Sequence, residues 1–195
     1  MVAAMDSNMP ADIAELRDQL ELVAGEADAL VDGLSEEQGM RRPEGGGWSV
    51  SECLDHLATG NRLYLNAMQE PANRARLRGM YRRRPARPGL VGRFFVGLLE
   101  PPPRWWSRMK APRKTRPRNA PPLAETFADF IATQGQAGAF LRANADLDLA
   151  GIRFPNPFVR GIFFSLATGL HVIVAHERRH LLQAWRVRRA IEQAV

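Results

Sequence analysis

Two histidines near the C-terminal end of the chain are spaced for metal binding. His176 and His180 lie four residues apart in the run His-Glu-Arg-Arg-His. On a helix, residues at i and i+4 are about 40° apart around the axis and about 6 Å apart along it. Both imidazoles can then reach one cation. They also belong to a stripe with helical spacing, typical of a buried face: Leu166, Gly169, Ile173, His176, His180, Gln183 and Val187.

Other interpretations of this histidine pair stay open. A buried imidazole without a partner costs about 1–3 kcal/mol, and hydrogen bonds from neighbouring helices would satisfy it as well as a metal would. The letters also match the H-E-x-x-H motif of zincin proteases, in which Glu177 would act on a metal-bound water. No edge strand for a peptide substrate is evident, and Arg178 and Arg179 are expected on the outer face of the helix.

His56 is the natural third ligand. It borders the apolar stripe of an earlier helix, and alone it would be interpreted as a core or boundary histidine. Three histidines with an open fourth position are typical of catalytic zinc sites. Cys53 could supply a fourth ligand, although a small buried residue is the simpler interpretation. Cys53, Gln183 and Glu177 are the candidates for supporting the three ligands.

Four long helices are predicted to position these residues. The first begins near Ile13 and covers about 22 residues. The second begins at an N-cap, Ser49, with Glu52 completing a capping box and Trp48 packing back as a hydrophobic staple, and it ends near Gln69. The third covers 123–144, and its inward residues are Leu123, Phe127, Ile131, Gln134, Ala137 and Leu141. The fourth begins at the N-cap Ser165 and continues almost to the C-terminus.

No strand-like alternation is present, so we predict an all-α fold, an antiparallel four-helix bundle. Residues 1–10 are expected to be a flexible tail, and 11–195 a single domain. Metal sites in such bundles lie between inward side chains of facing helices. The second and fourth helices should therefore face each other.

Residues 71–122 form an unusually long basic, proline-rich insertion between the second and third helices, with ten prolines and one short predicted helix at 90–99. Within it, 74–118 carry a net charge of +14, whereas the rest of the chain carries −8. We interpret the insertion as a lid whose basic residues hold an anionic substrate, the candidates being Arg82, Arg83, Arg84 and Lys110. Alternatively, its arginines and aromatic residues could bind single-stranded nucleic acid: Phe94, Phe95, Trp105 and Trp106.

Composition excludes several classes of protein. The 195 residues are 45% hydrophobic and 25% charged, as in soluble globular domains. The single Cys53 cannot form an intramolecular disulfide, and the N-terminal residues do not read as a secretory signal. The longest apolar run, 161–175, contains His171 and is too short to cross a bilayer. We therefore expect a soluble cytoplasmic protein without a membrane partner.

Several fragments, taken in order, carry a resemblance to DinB-like (YfiT-like) proteins: Met40–Pro43, Gly46–Val50, Glu52–Leu57, Glu100–Pro103, Lys110–Pro112 and His176–Gln183. The resemblance spans about 12–190. It implies a four-helix bundle, often a homodimer, with a divalent metal held at the positions of His56, His176 and His180. Characterised relatives include thiol-dependent S-transferases and isomerases that use mycothiol, bacillithiol or glutathione, and other relatives are assigned as metal-dependent hydrolases. The long insertion departs from the smaller relatives.

The sequence supports two hypotheses about function. The first is a zinc- or nickel-dependent enzyme, a thiol-dependent S-transferase or related hydrolase, acting on a small molecule with a low-molecular-weight thiol as co-substrate. The alternative is a non-catalytic, metal-stabilised helical bundle whose basic 74–118 segment binds nucleic acid or a protein partner.

Overall fold

A computed structural model describes residues 9–102 and 111–193, and it is mostly helical. The elements of these residues, in chain order, are α1 (Ala11–Val31), α2 (Glu36–Met40), α3 (Val50–Leu77), α4 (Leu90–Leu99), a 3₁₀ helix (Arg113–Thr115), α5 (Leu123–Ala143), β1 (Arg153–Pro155), β2 (Phe163–Ser165) and α6 (Leu166–Gln193). Most of the predicted tail and Trp105, Trp106 and Lys110 lie outside the described residues.

The four long helices pack in a closed order around the core. α1 contacts α6, α6 contacts α3, α3 contacts α5, and α5 contacts α1. The predicted facing of the second and fourth long helices, α3 and α6, is therefore observed. None of the helices in the described part of the chain has both the length and the hydropathy that a bilayer crossing requires.

The predicted capping box begins α3, but the helix is longer than expected. The Ser49 hydroxyl accepts the Glu52 N–H, and the Glu52 carboxylate accepts the Ser49 N–H. We expected the helix to end before Pro71, yet it continues to Leu77. Proline removes one helical hydrogen bond, and the burial of Ala72 and Ala75 beyond it favours continuing the helix.

The buried face of α5 is rotated from the predicted stripe. Phe127 and Ile131 are only half-buried, whereas the buried positions are Leu123, Thr126, Phe130, Thr133, Gln134, Ala137, Phe140 and Leu141. Two threonines lie on this inward face, and both hydroxyls bond to carbonyls of the preceding turn. A count of apolar residues alone missed them because threonine reads as polar.

A small antiparallel hairpin precedes α6, so the prediction of a fold without strands is wrong. β1 and β2 pair through Phe154 and Phe164, and both rings are buried. Asn156 closes the turn by accepting the N–H groups of Phe158 and Val159. The predicted N-cap is observed, since the Ser165 hydroxyl accepts the Thr168 N–H.

The described parts of the basic insertion contact the helices at several points. The predicted short helix forms as α4 and packs on α6. Arginines of the 74–118 segment pair with acidic side chains of the body: Arg76 with Asp146, Arg82 with Asp12, Arg84 with Asp148, and Arg118 with Asp55 and Glu125. At least four of the thirteen arginines in this segment are thus paired with acidic side chains of the body.

Candidate metal centre

Three imidazoles meet between α3 and α6. His56 is on α3, and His176 and His180 are one turn apart on α6. Their ring centroids are 4.6–4.9 Å apart in pairs, and one ring nitrogen from each lies within 4.8 Å of the others. The His56 Nε2 and His176 Nε2 atoms are 3.0 Å apart.

Hydrogen bonds fix the direction of two of these rings. The His56 Nδ1 lies 2.5 Å from the Thr115 carbonyl oxygen. A carbonyl can only accept, so Nδ1 carries the proton and the Nε2 lone pair faces the cluster. The His180 Nδ1 lies 3.0 Å from the Gln183 Oε1 and donates in the same way. Such partners orient metal-binding histidines and select their tautomer.

The three imidazoles are neutral at physiological pH. Burial lowers the pKa of His56, and it lowers the pKa of His176 well below the usual value, with the neighbouring His180 and His56 adding to the effect. Burial, with His56 beside it, lowers the pKa of His180 to about 3. A neutral imidazole has the free lone pair that metal binding requires.

The donor set fits a divalent transition metal. Two nitrogens bound tetrahedrally at about 2.0–2.1 Å lie about 3.3 Å apart, close to the His56–His176 separation of 3.0 Å. Imidazole nitrogen suits zinc and nickel. The three histidines predicted as metal ligands are therefore brought together, and among the described residues no other such cluster of His, Cys, Asp and Glu is found.

Trp48 lies on the cluster, between His56 of the helix that it precedes, α3, and His180 of α6. Its ring is 4.7 Å from the His56 ring and stacks on His180 at 5.6 Å between centroids. The predicted hydrophobic staple missed this contact. The run Gly45-Gly46-Gly47 before it was a signal, because Gly46 and Gly47 have positive φ values that only glycine adopts easily.

Glu177 faces away from the three histidines. Its carboxylate Oε1 accepts from Asn61 at 2.7 Å and from Gln134, in a fully buried position between α3, α5 and α6. Burial raises the pKa of Glu177 to about 7, and these amide hydrogen bonds counter part of the rise. Glu177 does not line the cavity beside the cluster. This position does not fit the general base of a zincin protease.

Cys53 and the predicted anion contacts lie elsewhere. Cys53 is fully buried, burial raises the pKa of its thiol, and it does not join the histidine cluster. Arg82 and Arg84 form ion pairs with acidic residues, and neither they nor the exposed Arg83 lines the cavity. The structure thus does not bring these arginines to the histidines.

Helix α4 covers part of the face of α6 that was expected to be outward. Arg178 donates to Glu100 at 3.2 Å, and Arg179 donates to the Leu98 carbonyl at 2.9 Å. Both arginines are only partly exposed, so the prediction that they lie on the outer face is wrong. Arg179 lines the cavity at the histidines instead.

The cavity beside the cluster has a volume of about 600 Å³, within the range of small-molecule sites. The three histidines and Gln183 form one part of its wall. Aromatic and aliphatic side chains form most of the rest, together with Pro112 and Thr115 of the insertion. The insertion therefore contributes both to the wall of the cavity and to the orientation of His56.

A family model described as the DinB superfamily matches residues 19–184. The chain belongs to the DinB superfamily. The matched range includes all three histidines, and the predicted resemblance is confirmed. DinB-like proteins are often metal-binding, in agreement with the donor set found here. Comparisons with curated proteins and with solved structures gave no match.

Proposed function

We propose that this DinB superfamily protein is a metal-dependent enzyme that acts on a small molecule, with His56, His176 and His180 as metal ligands. The observation that carries the proposal is the convergence of three neutral imidazoles at the wall of a cavity of about 600 Å³. Zinc and nickel are the metals we expect. The four long helices would form the antiparallel bundle expected from the sequence, with the ligands on facing helices.

A divalent ion bound there would act as a Lewis acid and would lower the pKa of a bound water or thiol to about 7. The protein contributes orientation and exclusion of water. Thr115 and Gln183 hold the rings of His56 and His180 with their Nε2 atoms toward the cluster, and Trp48 covers one side of both rings. Neutral imidazoles leave the positive charge of the ion uncompensated.

We favour thiol-dependent S-transfer, with hydrolysis as the related reaction. In S-transfer, the sulfur of a low-molecular-weight thiol forms a bond to an electrophilic carbon. The bond from that carbon to its leaving group breaks, and the thiol proton passes to solvent. In hydrolysis, water replaces the thiol. The homodimer and the cytoplasmic location expected from the sequence remain predictions.

Metal analysis tests the proposal. Protein produced in zinc- and nickel-supplemented medium should contain about one ion per chain. His176→Ala should lose it, whereas the control His171→Ala should keep it, because His171 bonds to the Ala86 carbonyl outside the cluster. Wild-type protein without stoichiometric metal would refute the proposal. Glutathione and a chromogenic aryl halide then serve as a first assay for S-transfer.

We favour the enzyme over the alternative of nucleic-acid binding. The alternative depended on a basic segment with unmatched charge, but several of the described arginines of 74–118 pair with the body of the protein. Gel retardation of an oligonucleotide by wild-type protein at about 150 mM salt would revive this alternative, provided that neutralising Arg83 and Arg87 abolished it. Binding through phosphates should also weaken steeply as salt is raised.

A further inference from the structure

Two buried polar side chains belong to the wall of the cavity at some distance from the histidines. Tyr64 on α3 and Asn156 directly after β1 are 7% and 8% exposed, and both line the cavity. Tyr64 is eight residues after His56 on α3, which is about 12 Å along the helix axis. Gly60, midway between the two, lines the cavity as well. The cavity therefore extends along α3 for two helical turns beyond His56.

The turn after β1 fixes the orientation of the Asn156 amide. Its Oδ1 accepts the N–H groups of Phe158 and Val159 at 2.8 and 2.9 Å. Only the oxygen end of the amide can accept, so the nitrogen end faces the Tyr64 hydroxyl, with Nδ2 at 3.4 Å from it. Because Nδ2 can only donate, the Tyr64 oxygen is the acceptor in this hydrogen bond.

The Tyr64 hydroxyl therefore keeps its own hydrogen for another partner. Within the described residues, its hydrogen bond is the one that it accepts from Asn156. Burial raises the pKa of Tyr64, so the hydroxyl is protonated at neutral pH. Buried tyrosine hydroxyls usually find a hydrogen-bond partner, and the Asn156 amide has a second N–H as well. Two neutral donor groups thus lie side by side at the cavity wall.

The surroundings of these donors favour a neutral acceptor. The rings of Phe154 and Phe158 contact the Tyr64 ring edge-on, with centroids 6.1 and 5.4 Å away, and hold it in place. Phe158 and Val159 continue the cavity wall beside them. An apolar setting penalises a charged group much more than a hydrogen-bonded neutral one. A carbonyl oxygen is neutral and has two lone pairs, one for each donor.

We propose that Tyr64 and Asn156 form a subsite for a carbonyl oxygen of the substrate, in a ketone, an ester or an amide. The inference rests on the proposed function, because it describes the substrate of the same site. The reacting end of the substrate would lie at the histidines, and its carbonyl group would lie about two helical turns away. Tyr64 is then a residue that determines specificity by holding the far end of the substrate.

Two ligands of the same shape test this inference. They are 4-phenylbutan-2-one and isopentylbenzene, in which a carbon bearing a methyl group replaces the carbonyl. Headspace gas chromatography measures the free concentration of each volatile ligand above the protein solution. In Tyr64→Phe, the affinity for the ketone should fall about tenfold, because its buried oxygen loses a donor. The affinity for the hydrocarbon should hardly change. Each ligand is compared across variants, so the different hydration of the two ligands cancels.

Two further variants separate the hydroxyl hydrogen from the structural role of the ring. Asn156→Asp keeps the oxygen that closes the turn but replaces Nδ2 with an acceptor, to which the Tyr64 hydroxyl would donate. The affinity for the ketone should therefore fall although Tyr64 is intact. Tyr81→Phe is the matched control, since Tyr81 is exposed and does not line the cavity. It should leave both affinities unchanged.

The outcomes distinguish this inference from the proposed function. Equal weakening of both ligands in Tyr64→Phe would overturn the subsite, because the hydroxyl would then be structural. So would ketone affinity that either Tyr64→Phe or Asn156→Asp leaves unchanged, or a ketone that does not bind wild-type protein. The series is repeated on zinc-loaded protein and on chelator-treated protein of unchanged helicity, and the effect of Tyr64→Phe should be the same in both. An effect that disappears with the zinc would overturn the subsite, whereas wild-type protein that holds no zinc but shows the effect would refute only the metal-dependent enzyme.

Discussion

Replacing Arg118 with glutamine should weaken metal binding, although Arg118 contacts no histidine. Its backbone N–H and its Nε both donate to the Asp55 carboxylate at 2.9 Å. Asp55 directly precedes His56, whose Nδ1 bonds to the Thr115 carbonyl three residues before Arg118. The same short stretch, 115–118, is therefore fixed at two points to one turn of α3. Loosening the first contact should loosen the second.

The magnitude follows from the contacts that are lost. Glutamine keeps the backbone bond to Asp55 but removes the side-chain bonds to Asp55 and Glu125. Because the Arg118 side chain is half exposed, we expect a loss of only about 1 kcal/mol in stability. The His56–Thr115 bond contributes about 1 kcal/mol if it is typical, and 1.4 kcal/mol corresponds to a factor of ten in affinity. Complete loss of that bond would therefore weaken zinc binding about fivefold, just below the 10–100-fold that changes in such supporting residues typically cost in metal affinity.

Competition with a chromophoric zinc chelator measures this effect. Arg116→Gln is the control, because Arg116 is exposed on the same stretch and has no hydrogen bond or ion pair from its side chain among the described residues. In the double variant with Asp55→Asn, the loss should be no larger than in Asp55→Asn alone, since both changes act on one contact. Equal zinc affinity in Arg118→Gln and Arg116→Gln would refute the coupling between this stretch and His56.

Two predictions concern the fold. Burial raises the pKa of Asp12, but hydrogen bonds from Ala86 and Arg82 outweigh it, so the pKa is lowered. The resulting stabilisation is present at a pH above the pKa that Asp12 has in the unfolded chain, and it is lost as the pH falls below about 4. In urea melts from pH 7 to 3, Asp12→Asn should therefore show a smaller acid-induced loss of stability than wild type. Gly169→Ala should cost about 1–3 kcal/mol, because its Cβ would lie under 3.0 Å from two core side chains. Gly135→Ala, where a Cβ would meet nothing within 4 Å, should be neutral or stabilising in the same melts; equal effects of the two would contradict the packing argument.

The ligands could be predicted from the sequence because helical spacing determines them locally. His176 and His180 share a face in any α-helix, and His56 follows a capping box that sets the start of its helix. The length of α3 could not be predicted in this way, since Pro71 lies inside it and burial of the following turn is a tertiary effect. The rotated face of α5 could not be predicted either. Its inward threonines count as polar in the sequence, but their hydroxyls bond to carbonyls of their own helix.

The supporting contacts of the site could not be read from the sequence. Thr115 is 59 residues from His56, and it contributes a backbone carbonyl, which any residue type could provide. Glu177 looked like part of the metal motif, yet its partners on α3 and α5 direct it into the core. Arg179 was placed outside because the predicted helix faces took no account of α4, which packs over that side of α6.

The insertion changes the meaning of the charge asymmetry. In the sequence, a segment of +14 beside a body of −8 suggests a surface for an anionic partner. In the structure, the ion pair between Arg118 and Asp55 fixes the stretch that orients His56. The ion pair between Arg82 and Asp12 fixes the other end of the insertion to α1. An ion pair between two parts of one chain adds little stability at a surface, but it selects one position for a long proline-rich segment. That position carries Pro112 and Thr115 to the cavity, so the arginines act on the site through the backbone that they anchor.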